Sequence, residues 1–149
     1  MSLANGTYQI RAFAELSPNG YATSIAAHEH VRIESEGSGN QTWQVRSAGH
    51  ANFIVETDPN LYDIFSLSYP SDLADGSPVT TEQLESPLEW IFRPLQQENV
   101  FTLSPYIDSA DVNMCVGVGV EDNEMVIQQC ATEEDQRRQA WEFISIPLD

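Results

Sequence analysis

Three histidines, two cysteines and 23 carboxylates are the residues of this chain with chemistry to offer. His28-Glu29-His30 sets two imidazoles two positions apart, which on a strand share one face and can reach one metal ion. A third ligand is wanting, because His50 is the sole remaining histidine and no Cys/His cluster accompanies it. The segment therefore reads as a pair of turn histidines, and no metal ligand is assigned. No Gly-x-Ser-x-Gly elbow presents a nucleophile. The carboxylates are expected to sit largely in turns, where they read as solvated and turn-forming rather than as an acid/base pair. Val116-Gly117-Val118-Gly119 lacks the third glycine and the following helix of a phosphate-binding loop. The expectation is a protein without catalytic residues or a cofactor, and so not an enzyme.

Cys115 and Cys130 lie equally far from Asp122-Asn123, the centre of an expected hairpin. At that spacing they are placed to face each other across two strands, where a non-hydrogen-bonded pair can carry a disulfide. The alternative is a reduced, buried pair, as is usual in a cytosol. Both readings stay open at this level.

The charge is lopsided. Six basic residues, all arginine, stand against 23 acidic ones, for a net charge of −17 over 149 residues. Nucleic acid and anionic membranes both depend on cationic side chains, so neither is an expected partner. An acidic surface favours solubility and basic partners without selecting a function. The hydrophobic share of 41% suits a globular chain of one domain. The first six residues show no basic segment followed by an apolar one, and no apolar run approaches the length of a membrane helix, so a cytoplasmic protein is expected.

What positions these residues is a repeat. Gln41-Thr42-Trp43, Leu88-Glu89-Trp90 and Gln139-Ala140-Trp141 recur at near-equal intervals, and an apolar residue (Val45, Phe92, Phe143) follows two positions after each Trp. The rest of each unit aligns on that frame. Tyr8/Ile10, Phe53/Val55 and Phe101/Leu103 give an aromatic-x-aliphatic strand with alternate residues inward. Second strands are expected over 21–26, 64–69 and 114–119, and third strands over 31–33, 79–81 and 125–127. The Trp segments supply the fourth. Turn formers separate them, including Ser17-Pro18-Asn19-Gly20, Glu36-Gly37-Ser38-Gly39-Asn40 and Asp58-Pro59-Asn60. No helix is predicted beyond a short turn over 133–139. Twelve strands in three pseudo-repeats, with residues 1–149 as a single domain, predict an all-β protein of the β-trefoil type. Three blades are too few to close a propeller. Alternating strand directions send the loops between strands 1–2, 3–4 and 5–6 to one end of the barrel. Residues 17–20, 36–40 and 58–62 then form one surface, rich in Gly, Pro, Asn and Ser. Such loops on a stiff barrel lose little entropy on docking, which suits a binding protein.

Met1-Ser2-Leu3, Gly6-Thr7-Tyr8, Arg11-Ala12, Tyr21-Ala22-Thr23 and Trp43-Gln44-Val45 together resemble the mycocypins, fungal β-trefoil inhibitors of cysteine proteases. The resemblance continues through Phe65-Ser66-Leu67-Ser68-Tyr69, Ser77-Pro78-Val79 and Ala140-Trp141-Glu142-Phe143, and is closest in the first third. It implies that the loops between strands 1–2 and 3–4 occlude the cleft of papain-like cysteine proteases. Ser17, Pro18, Asn19, Gly20 and Tyr21 would form one wedge, and Glu36, Gly37, Ser38 and Gly39 the other. It also implies that Asn60, in the loop between strands 5 and 6, is offered to the asparagine-specific protease legumain. The first loop is shorter here than in clitocypin, a member of that family. The implied role is defence or regulation by a thiol protease inhibitor.

Two alternatives keep the same fold. An inhibitor of another protease class, serine or aspartic, is one; trypsin would call for a basic residue at a loop tip, whereas Arg11, Arg32 and Arg46 fall in or beside strands. A carbohydrate-binding lectin is the other, since trefoil lectins share the Gln-x-Trp repeat. Its candidates are Tyr62, Tyr69 and Tyr106 with Asp63, Asp72 and Asp108, which do not recur at equivalent positions.

Overall fold

Every strand of this protein is short, three to seven residues, so no single sheet can bury a core and the strands must close on themselves. The computed structural model describes residues 3–13, 20–26, 29–47, 51–56, 65–83, 88–106, 113–119, 123–132, 136 and 138–147. They form β1 (Gly6–Ala12), β2 (Tyr21–Thr23), β3 (Arg32–Glu34), β4 (Trp43–Ser47), β5 (Asn52–Glu56), β6 (Ser66–Ser68), β7 (Thr80–Glu82), β8 (Glu89–Pro94), β9 (Val100–Pro105), β10 (Met114–Val118), β11 (Met125–Gln129) and β12 (Trp141–Ser145). Among the described residues there is no α-helix.

Six strands close a ring. β1 pairs with β12, β12 with β9, β9 with β8, β8 with β5, β5 with β4, and β4 returns to β1, every pair antiparallel. The remaining six make three hairpins, β2–β3, β6–β7 and β10–β11. This is the β-trefoil: a six-stranded barrel capped by three hairpins.

The hairpins hold one another through a cyclic set of backbone bonds. The Val31 amide donates to the Val79 carbonyl (2.8 Å), Val79 to Met125 (3.0 Å) and Met125 back to Val31 (2.8 Å). All three side chains are buried. The three tryptophans obey the same symmetry. Each indole Nε1 donates to a carbonyl of the second strand of its own repeat: Trp43 to Ala22 (3.1 Å), Trp90 to Leu67 (3.0 Å), Trp141 to Val116 (3.0 Å). A buried indole N–H left unpaired would cost about 1–3 kcal/mol, so these bonds fix how each hairpin seats on the barrel.

The expected strand pattern holds with one slip. Tyr8 pairs with Trp43, Asn52 with Trp90 and Phe101 with Trp141, so the inward pair of the second repeat is Asn52/Ile54. The sequence pattern had selected Phe53/Val55. Because side chains alternate, one residue of register exchanges the faces: Ile54 is fully buried and Phe53 is partly exposed, while Val55, which pairs with Ser66 of β6, is buried as well. An asparagine in a column that is aromatic in the other repeats hid the true register.

Cys115 and Cys130 are joined as a disulfide, with Cα atoms 4.9 Å apart. Their geometry differs from the symmetrical one expected. Cys115 pairs with Gln128, and the Cys130 amide donates to the Asn113 carbonyl, so the bridge runs diagonally across the ladder.

Candidate functional site

The loop between β3 and β4 combines full exposure with a braced backbone. Glu36, Gly37, Ser38 and Gly39 are all exposed. Beneath them the Gln41 side chain, only 5% accessible, uses both ends of its amide. Its Oε1 accepts from the Gly37 amide (3.0 Å), and its Nε2 donates to the Ser35 carbonyl (2.7 Å) and to Thr23 Oγ1 (3.0 Å). Gly37 has φ +90°, a conformation that side-chain-bearing residues rarely adopt, and the direction a Cβ would take is open space. Gly39 has the opposite constraint: a Cβ there would stand 2.8 Å from Thr23 Cγ2, so glycine lets the loop fold back onto β2.

Asn40 fixes the far end of the loop. It exchanges backbone bonds with Ser24 (2.8 and 3.2 Å), its Nδ2 donates to Glu56 Oε1 (2.9 Å), and its Oδ1 accepts from Thr42. Glu56 ends β5, so the loop is tied to the point where the chain departs toward residues 57–64. Tyr21 pairs with Glu34, so Gly20 and residues 35–40 adjoin the same end of the β2–β3 hairpin. Of the surface expected from residues 17–20, 36–40 and 58–62, only Gly20 and residues 36–40 lie among the described residues.

The first wedge has a different character at its base. Gly20 and Tyr21 are buried, the Gly20 carbonyl accepts from the Ala12 amide (2.9 Å), and Tyr21 is part of β2. Ser17, Pro18, Asn19 and Asn60 lie outside the described residues, as do His28 and His50. The structure therefore brings Glu36, Gly37, Ser38 and Gly39 together on the surface and sets Gly20 and Tyr21 beneath it.

The same glutamine brace recurs in the third repeat. Gln139 Oε1 accepts from the Ala131 amide (2.8 Å) and its Nε2 donates to the Gln129 carbonyl (2.9 Å), the counterparts of Gly37 and Ser35. The second repeat has Leu88 at this position and cannot make it. Gln-x-Trp is thus a structural device, in which Trp seats the hairpin and Gln braces the loop before it. Sequence reading had the motif but saw only the Trp.

Other candidates resolve as parts of the scaffold. His30 Nδ1 lies 2.5 Å from Glu124 Oε2 on the neighbouring hairpin, and among the described residues no three His, Cys, Asp or Glu side chains converge on one point. Tyr69 packs edge-on against Trp90, with ring centroids 4.9 Å apart. Its hydroxyl donates to the Glu89 carbonyl (3.0 Å) and lies 3.2 Å from the Tyr106 carbonyl. Burial raises its pKa above the usual tyrosine value. That hydroxyl is engaged by main chain and is not free for a sugar. Tyr62, Asp63 and Asp108 lie outside the described residues. Arg11 is held against Glu142 on the adjacent strand, and Arg32, Arg46 and Arg93 are likewise strand residues.

A second surface feature was not legible in the sequence: a groove of about 780 Å³ between the turn after β8 and the approach to β12, lined by Phe13, Leu95, Gln96, Gln97 and Gln136 among others.

The fold defined by the barrel and its three hairpins is that of known β-trefoils. The chain is similar in structure to the ricin B-like lectin of Macrolepiota procera, solved in complex with lactose, with a TM-score of 0.74 and 15% identity over 98% of this chain and all of that one. It is similar to the designed threefold-symmetric protein ThreeFoil (TM-score 0.72, 14% identity, 95% and 99% of the two chains) and to the Rhizoctonia solani agglutinin (0.69, 12%, 98% and 99%). No protein-family model matches the sequence, and no curated protein sequence matches it.

Proposed function

We propose that this β-trefoil is a protein-binding inhibitor that occludes the cleft of papain-like cysteine proteases, as its resemblance to the mycocypins implies. The observation that carries the reading is the loop Glu36-Gly37-Ser38-Gly39, exposed along its length and braced from below by Gln41. A loop already held in one shape loses little entropy on insertion, and the bare backbone at Gly37 lets a partner surface approach closely. Ser17, Pro18 and Asn19 would supply the other wedge, with the buried Gly20 and Tyr21 as its foundation, and Asn60 the contact to legumain. Titration of papain, legumain and trypsin with the protein tests it. Papain inhibited with a constant below about 1 µM, near 8 kcal/mol of binding, supports the reading, and no inhibition of papain at that level overturns it.

Carbohydrate recognition is the second reading. It draws on the groove beside β12, which combines an aromatic ring with several amide side chains, and on lectins being among the proteins of like fold.

A further inference from the structure

The groove beside β12 has walls that are fixed by main-chain bonds rather than by mobile side chains. On one side, the turn joining β8 to β9 is closed by Leu95 donating to the Val100 carbonyl (2.9 Å), with Asn99 at φ 64°. The Asn99 carbonyl accepts from Phe143 of β12 (2.8 Å) and pins that turn to the barrel. On the other side, Phe13 donates to the Ala140 carbonyl (3.0 Å), setting the aromatic ring at the edge of the groove. The groove, about 780 Å³, falls in the size range of small-molecule sites.

Its lining has a specific chemistry. Phe13, Leu95 and Val100 contribute apolar surface, and Gln96, Gln97 and Gln136 contribute three carboxamides. Among the described residues that line it none is charged, in a chain whose net charge is −17. Each carboxamide offers two donors and an acceptor, the complement of vicinal hydroxyls, which both donate and accept. A half-exposed phenyl face suits the apolar face of a pyranose ring. Among the described residues of this lining, ions find no counter-charge.

We infer that this groove is a binding site for uncharged saccharides, with Phe13 as the platform for a sugar ring and Gln97 and Gln136 as the hydroxyl-reading groups. The inference rests on the carbohydrate reading and not on the loop over residues 35–40, to which none of the described lining residues belongs.

The test is a printed array of neutral mono- to tetrasaccharides terminating in galactose, glucose, mannose or N-acetylglucosamine, followed by calorimetry on the strongest hit. The native protein binds at least one of these, and Phe13→Ala and the double variant Gln97→Ala/Gln136→Ala each weaken that binding by about tenfold or more, with papain titration unchanged in the double variant. Should Phe13→Ala fail to fold by circular dichroism, the glutamine double variant, confined to surface side chains, decides alone. A blank array overturns both the site and the carbohydrate reading. Neutral-glycan binding that is unaltered in the folded variants overturns the site and leaves the reading standing.

Discussion

The Met125 amide donates to the Val31 carbonyl at 2.8 Å, joining the third hairpin to the first across 94 residues of chain. With the matching bonds from Val31 to Val79 and from Val79 to Met125, it closes a triangle that no single repeat can make. Each hairpin alone is a short two-stranded ribbon, marginal in water, and the triangle makes the three of them one cap.

The tryptophan indoles seat that cap, and removing the N–H while keeping an aromatic ring isolates their contribution. Trp43→Phe, Trp90→Phe and Trp141→Phe each leave a buried carbonyl, of Ala22, Leu67 or Val116, without its donor, and also open a void. Each is expected to lower unfolding free energy by about 2–4 kcal/mol, with similar values at the three sites because the geometry is threefold. Urea denaturation of the three variants measures it; a spread much wider than that range would show that the repeats do not share the seating.

The glutamine brace predicts a separation of stability from inhibition. Gln41→Leu copies the second repeat, where Leu88 stands, and releases the Gly37 amide and the Ser35 carbonyl, both at an exposed loop that water can reach. Stability is expected to fall by about 1–2 kcal/mol, while the inhibition constant for papain rises by about tenfold through lost preorganisation. Gln139→Leu, the equivalent change in the third repeat, is expected to match the stability loss and leave inhibition unchanged. Paired denaturation and papain titration distinguish the two, and equal effects on inhibition would detach the loop 36–39 from the inhibitory surface.

The Trp repeat made the trefoil legible because three large residues at near-equal spacing mark the same strand in each repeat. Register in the second repeat was not legible, since Asn52 occupies an inward column and Phe53, the better aromatic, points the other way. The exposed loop was readable from Glu36-Gly37-Ser38-Gly39, but the burial of Gly20 and Tyr21 was not, because it depends on a backbone bond to Ala12 across the intervening loop. The groove left no trace in the sequence at all: Phe13, Leu95 and Gln136 are brought together by strand pairing over more than 120 residues.

Thr81 marks a position where symmetry and chemistry disagree. It pairs with Leu67 as Ile33 pairs with Ala22 and Ile127 with Val116, yet its Oγ1 is buried with no partner. Thr81→Val preserves the shape and removes the stranded hydroxyl, so it is expected to stabilise the fold by about 1 kcal/mol. A thermal midpoint that rises by several degrees confirms this, and a fall would mean that the hydroxyl has a partner in solution.

The Cys115–Cys130 bridge closes a segment spanning 15 positions in sequence. Crosslinking a loop of this size is expected to contribute about 3 kcal/mol, chiefly by restricting the unfolded chain. Urea midpoints before and after reduction with dithiothreitol, and for Cys115→Ala/Cys130→Ala, should drop together. A reduced protein as stable as the oxidised one would show that the β10–β11 hairpin is held by its packing alone.

Tyr69 carries the alkaline end of the stability profile. Its pKa is raised from 10.0 by burial, and Tyr8 is shifted the same way for the same reason. A raised pKa means that the folded state favours the neutral phenol, so the stabilisation is complete below pH 10 and is lost as pH climbs through the folded-state value. Tyr69→Phe is expected to cost about 1 kcal/mol at neutral pH, where the Glu89 carbonyl loses its donor. Above pH 10 the native protein should lose stability faster than the variant, so that the two curves converge. Denaturation at pH steps across that range measures the slopes, and parallel curves would place the alkaline titration on other tyrosines.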